Sequence, residues 1–74
     1  MTRLSELSVG RQGRVRQITG NDALSLRLME MGLVPGTEVK LIGTAPLGDP
    51  FEVEVSGYHL SVRRSEADRV ELEG

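Results

Sequence analysis

Apolar and polar residues alternate most cleanly in two stretches of the second half of the chain, Phe51-Glu-Val-Glu-Val55 and Tyr58-His-Leu-Ser-Val62. A period of two puts every second side chain on one face of a strand, and the Ser56-Gly57 pair between them fits the two-residue loop of a tight hairpin. This hairpin assigns Tyr58, Leu60 and Val62 to the core face of Phe51, Val53 and Val55, and sets Glu54 directly across from His59 on the other face. Earlier, Val39 and Leu41 alternate with Glu38 and Lys40; later, Val70 and Leu72 alternate with Glu71 and Glu73. Each of these predicts a further strand. Residues 14–19 are compatible with a strand, but Val15 and Ile18 stand three apart, which predicts a bulge.

A helical period governs residues 22–32. Asn21 and Asp22 are good N-cap residues, and the run from Ala23 to Met31 is free of Gly and Pro until Gly32, which is placed for a left-handed C-cap. Leu24, Leu28 and Met31 fall at i, i+4 and i+7 and form the predicted core stripe. Within Leu33-Val34-Pro35-Gly36, Pro and Gly take the second and third positions of a type II turn. At the start of the chain, Leu4, Leu7 and Val9 predict a short turn of helix laying apolar groups on the core, with Gly10 and Gly13 marking the turn after it. Ser65-Glu-Ala-Asp68 predicts a short capped turn. Five short strands with one α-helix between strands one and two give a mainly β fold, a small SH3-like antiparallel barrel. The five-stranded OB-fold is the nearest competitor, but its helix commonly falls between strands three and four.

Length and charge narrow the function. At 74 residues the chain is read as a single domain spanning residues 1–74, with an expected radius of gyration of about 11 Å and stability on the order of 4 to 11 kcal/mol. Its formal net charge of −2 has the wrong sign for a domain held to phosphate by counterion release, and one Tyr and one Phe do not make a stacking platform for single strands. No nucleic-acid partner is expected. The apolar runs are too short for a spanning helix or a secretory signal, so no membrane insertion is expected and the cytoplasm is the expected location.

Candidate chemistry is sparse. The chain has no Cys and one His, and a mid-strand His59 facing Glu54 is read as a cross-strand pair rather than a base. Glu52, Glu54 and His59 share one strand face as a solvated polar surface, where metal binding is weak at most. The glycines form no phosphate loop. No catalytic residue, cofactor or metal ligand is assigned, and the chain is not read as an enzyme.

One apolar feature remains. On a helical wheel Leu26 and Met29 point away from the core stripe, and Leu33 just beyond the helix joins them as a second stripe. It lies either under the N-terminal segment or on the surface as a contact for a partner protein. The loop carrying Leu47 and Asp49 and the strand face carrying Arg63 are the next candidate contacts.

At Arg27-Leu-Met-Glu-Met-Gly-Leu-Val-Pro-Gly36, Ala45-Pro-Leu-Gly-Asp-Pro50 and Gly57-Tyr-His-Leu-Ser-Val-Arg-Arg-Ser-Glu-Ala67 the sequence strongly resembles the ferrous iron transport protein A (FeoA) family. Met29 and Met31 stand where leucines are frequent in that family, and Ser61-Val62 stands where Ala-Leu is common. The resemblance implies an SH3-like barrel and a cytosolic accessory protein for ferrous iron uptake, acting by protein–protein interaction with a GTP-binding membrane ferrous-iron transporter of the FeoB type. It leaves self-association open. The alternative it implies is a metal-responsive regulatory domain similar to the SH3-like domain of iron-dependent repressors.

Overall fold

The computed structural model describes residues 2–73. Strand β1 (Thr2–Arg3) runs into a 3-10 turn (Leu4–Glu6), followed by β2 (Gln12–Ile18), helix α1 (Ala23–Glu30), β3 (Glu38–Thr44), β4 (Phe51–Val55), β5 (Tyr58–Val62), the short helix α2 (Arg64–Ala67) and β6 (Val70–Leu72). The six strands form one antiparallel sheet in the order β1-β6-β2-β3-β4-β5. This is the predicted architecture with one strand more, because Thr2 and Arg3 pair with Leu72 and Glu71. The radius of gyration, 10.8 Å, matches the expectation for the length.

Strand β2 makes the sheet curl, because it serves two neighbours in turn. Gln12, Gly13 and Arg14 pair with β3, and the strand then passes to β6, with the expected bulge between Val15 and Gln17. Bulges sharpen local twist, and this one lets Val15 be fully buried while Ile18 packs against the same core. Gly13 belongs to this strand and not to a turn, correcting the sequence reading. A Cβ there would come within 2.9 Å of Leu72 Cδ1, so the missing side chain is what lets β2 and β6 close over Leu72. The turn glycine is Gly10, at φ 90°.

The β4–β5 hairpin follows the predicted register through all five pairs, from Val55 opposite Tyr58 to Phe51 opposite Val62. Ser56 and Gly57 both have positive φ, 51° and 82°, as a two-residue turn matched to strand twist requires. Phe51, Val53, Val55 and Val62 are buried, and Leu60 packs against them half-buried. Tyr58, expected in the core, is 71% exposed. It points to the right face but sits at the hairpin tip, where the opposing layer has ended.

Helix α1 is capped as predicted, with the Ser25 amide donating to Asp22 Oδ1 at 3.2 Å. Of its expected core stripe only Leu28 is fully buried; Met31 packs on the core in part and Leu24 lies outside the core cluster, half-buried. Ser25 is buried instead, its hydroxyl satisfied by the Asp22 carbonyl at 2.8 Å. Gly32, at φ 105°, ends the helix in a Schellman motif: the Leu33 amide donates to the Leu28 carbonyl and the Gly32 amide to the Met29 carbonyl. The Pro-Gly turn follows, closed by the Thr37 amide on the Val34 carbonyl at 3.1 Å. At the N-terminal end, Leu4 is buried and Leu7 partly so, but Val9 is 61% exposed and does not join the core as expected. Its segment has already turned away toward Gly10, whose amide donates to the Leu41 carbonyl.

Candidate functional site

The predicted contact residues fall in two places. On the outer face of α1, Leu26 is 56% and Met29 37% exposed, so this part of the second stripe lies on the surface and not beneath the N-terminal segment. Leu33 does not join it. It is fully buried, because the left-handed turn at Gly32 swings the next residue back onto the helix's core side, as the hydrophobic partner of a Schellman motif. The exposed apolar residue beyond the helix is Val34, at 39%. Gly32 was legible as a C-cap in the sequence, and carrying that motif one residue further separates Leu33 from Val34.

The second place joins the β3–β4 loop to the start of α2. Leu47 is 96% exposed at the tip of a loop closed by the Ala45 amide on the Pro50 carbonyl and the Gly48 amide on the Ala45 carbonyl. Asp49 Oδ1 accepts from the Arg64 amide at 3.1 Å, which ties the loop to α2 and sets Leu47, Asp49 and the exposed Arg63 around one rim. Arg63 itself is fixed at the backbone: its amide donates to the buried Glu66 carboxylate at 2.8 Å. Sequence spacing alone does not reveal this junction, since its halves are 15 residues apart.

The strand face carrying His59 differs from expectation in one partner. Glu54 is directly across from His59, but the imidazole Nε2 lies 2.8 Å from Glu52 Oε1, on the diagonal. The same carboxylate accepts from the Ser61 hydroxyl at 2.7 Å. Diagonal neighbours in an antiparallel pair are within reach of long side chains, and on the β3 side of the same strand Glu54 stands opposite Lys40 whereas Glu52 stands opposite Gly43. Among the described residues no group of three or more His, Cys, Asp or Glu is placed to hold a metal ion.

A second ion pair lies away from both contact regions. Arg69 Nη1 lies 2.7 Å from Asp22 Oδ1, and this hydrogen bond, followed by that from the Ser25 amide, holds the Asp22 carboxyl below its ordinary value. Arg69 reaches it by passing Gly20, where a Cβ would come within 2.8 Å of the guanidinium. A hollow of about 410 Å³ opens between Leu7, Arg11, Gln12 and Leu72; none of the predicted contact residues lines it.

A curled antiparallel sheet of six short strands with one helix between the first two long strands is the form of a small SH3-like domain. The FeoA domain profile matches residues 2–74, and the chain belongs to the FeoA family. It is 37% identical over 71 residues to an Fe(2+) transport protein A/Fe(2+) transporter FeoB fusion protein of Porphyromonas gingivalis, an alignment covering 96% of this chain and 8% of the fusion. The solution structure of iron(II) transport protein A from Clostridium thermocellum superposes with a TM-score of 0.92 at 35% identity, over 97% of this chain and 44% of that one. The crystal structure of Stenotrophomonas maltophilia FeoA complexed with zinc, described as a prokaryotic SH3 domain protein, has a TM-score of 0.86 at 35% identity, covering 99% of this chain and 91% of that one. ScaR with bound Cd2+, at 19% identity and a TM-score of 0.84, shares the fold alone. No helix among the described residues is long and apolar enough to cross a membrane.

Proposed function

We infer that this domain docks on a ferrous-iron transporter of the FeoB type and acts there by protein–protein contact. The observation that carries the reading is the Porphyromonas fusion, in which a homologous domain and an Fe(2+) transporter FeoB share one polypeptide. Fusion keeps two partners at high effective concentration, which serves two modules that work in contact. The contact surface in this reading is the outer face of α1, with Leu26 and Met29 and the adjoining Val34, and the Leu47–Asp49–Arg63 rim is a second contact. Leucines and methionines left in water by a folded domain cost nothing to its core, and their burial against a partner supplies association energy.

The test separates docking from folding. Leu26→Ser and Met29→Ser should each shift the stability of the isolated domain by less than about 0.5 kcal/mol, as surface changes usually do, while lowering ferrous-iron uptake and co-purification of the transporter in cells carrying the variant. Urea midpoints that fall with uptake would assign these side chains to the core. Unchanged midpoints with unchanged uptake and co-purification would remove the helix face from the contact, and Leu47→Ser is then the variant that decides for the loop. The rival reading, a metal-responsive regulatory domain, predicts tight binding of ferrous iron or zinc by the isolated chain, measurable by calorimetry.

A further inference from the structure

Strand β5 is the last strand of the sheet, and its outer edge has no neighbour among the described residues. In an antiparallel pair, residues opposite one another alternate between exchanging hydrogen bonds and not. The two-residue turn makes Val55 and Tyr58 an exchanging pair, so Val53–Leu60 and Phe51–Val62 exchange as well. The amides and carbonyls of Tyr58, Leu60 and Val62 therefore face β4, and those of His59 and Ser61 face the open edge. The residues on either side offer nothing further. Gly57 is in the turn at φ 82°, while the Arg63 amide donates to Glu66 Oε1 and its carbonyl accepts from the Glu66 and Ala67 amides.

Exposed edges are normally blunted by Pro, Lys, inward charge or a bulge. This one carries none of these. Tyr58-His-Leu-Ser-Val62 has no Pro, Lys or carboxylate, and its pairing with β4 runs through five pairs without a register shift, whereas β3–β4 and β2–β6 each contain one. The polar side chains flanking the edge are also held in place, since Glu52 takes both His59 Nε2 at 2.8 Å and Ser61 Oγ at 2.7 Å. Next to this flat edge stand Tyr58, 71% exposed, and Leu60, half-buried.

We propose that β5 pairs antiparallel with β5 of a second copy of this chain, about a two-fold axis at Leu60. The free groups sit symmetrically at Leu60 ± 1, so His59 exchanges two hydrogen bonds with the partner's Ser61 and Ser61 two with the partner's His59. A register centred on His59 would need Gly57, and one centred on Ser61 would need Arg63; each leaves only one exchanging pair. The Leu60 register alone uses every free group, and it closes after two copies because the operator is a two-fold axis. It sets Leu60 beside the partner's Leu60 and Tyr58 beside the partner's Val62, while His59 and Ser61, the opposed polar side chains, include no like carboxylates. Five residues a side are far fewer than the roughly 20 to 30 of a stable interface, so the dimer forms at high concentration and dissociates on dilution.

The chain contains no cysteine, so Leu60→Cys introduces a sole thiol. Directly opposite, non-exchanging residues have Cα atoms about 4.5 Å apart, within disulfide range. Mild oxidation of folded protein, with circular dichroism as the check on folding, should cross-link Leu60→Cys several-fold faster than His59→Cys or Ser61→Cys. For the wild-type chain, sedimentation should show reversible dimerisation and the amide resonances of His59 and Ser61 should move with protein concentration, while Tyr58→Lys should shift the equilibrium to monomer. Equal cross-linking rates at residues 59, 60 and 61, or wild-type sedimentation and amide shifts that ignore concentration, would overturn the proposal, and the second result does not depend on any variant folding.

Discussion

Asp22 shows how much one residue can be asked to do in a chain of this size. Its side chain caps α1 through the Ser25 amide and meets Arg69 at 2.7 Å, so it joins the helix start to the turn before β6. Both interactions favour the carboxylate, and its folded-state value is depressed. A depressed carboxyl stabilises the fold above its unfolded value, about 3.9, and that contribution disappears as pH falls through the lower folded value. Asp22→Asn keeps a good N-cap but removes the charge. Its urea midpoint should therefore lie below wild type at pH 7 and converge with it on acidification below about pH 4; parallel curves would mean the ion pair contributes nothing. Gly20→Ala should also lower the midpoint, because φ of 92° strains a side chain there and its Cβ occupies the path of Arg69.

At the scale of elements, α1 and the β4–β5 hairpin were read correctly in kind, and their local chemistry makes opposite predictions. The Schellman end of α1 buries Leu33 completely, so Leu33→Ala should cost about 2 to 5 kcal/mol, a large part of the total, whereas Val34→Ala beside it should be nearly neutral. Denaturant unfolding of the two variants checks this, and similar losses at both sites would contradict the assignment of Leu33 to the core. In the hairpin, Ser56 holds φ of 51°, a region that Asn tolerates better. Ser56→Asn should raise stability by a few tenths of a kcal/mol, read as a higher thermal midpoint. The alternating strand pattern placed Phe51, Val53, Val55 and Val62 correctly in the core, and it failed at Tyr58 because period-two alternation reports a face and not whether another layer still covers it.

For the molecule as a whole, periodicity, caps and turn residues were enough to determine the class of fold: a helix between the first two long strands, a tight hairpin, and a closing strand at Val70–Leu72. Each of those signals is local, since it depends on neighbours within a few positions in sequence. Two apolar residues on α1, Leu26 and Met29, were likewise legible as lying off the core stripe. What the sequence left undecided depended on contacts between distant segments. The two-residue strand Thr2–Arg3 exists only because β6 offers it an edge, and the role of Gly13 is set by Leu72. The partner of His59 was decided across three strands: Glu52 lies within 2.8 Å although Glu54 holds the opposite register position, where it also faces Lys40 on β3. The junction of Asp49 with Arg64 and the ion pair of Asp22 with Arg69 likewise join segments far apart in the chain. The sequence by itself determined which side chains are apolar and which face of each element they occupy. Only the tertiary structure decided which of those faces is covered, because burial belongs to the opposing layer as much as to the residue.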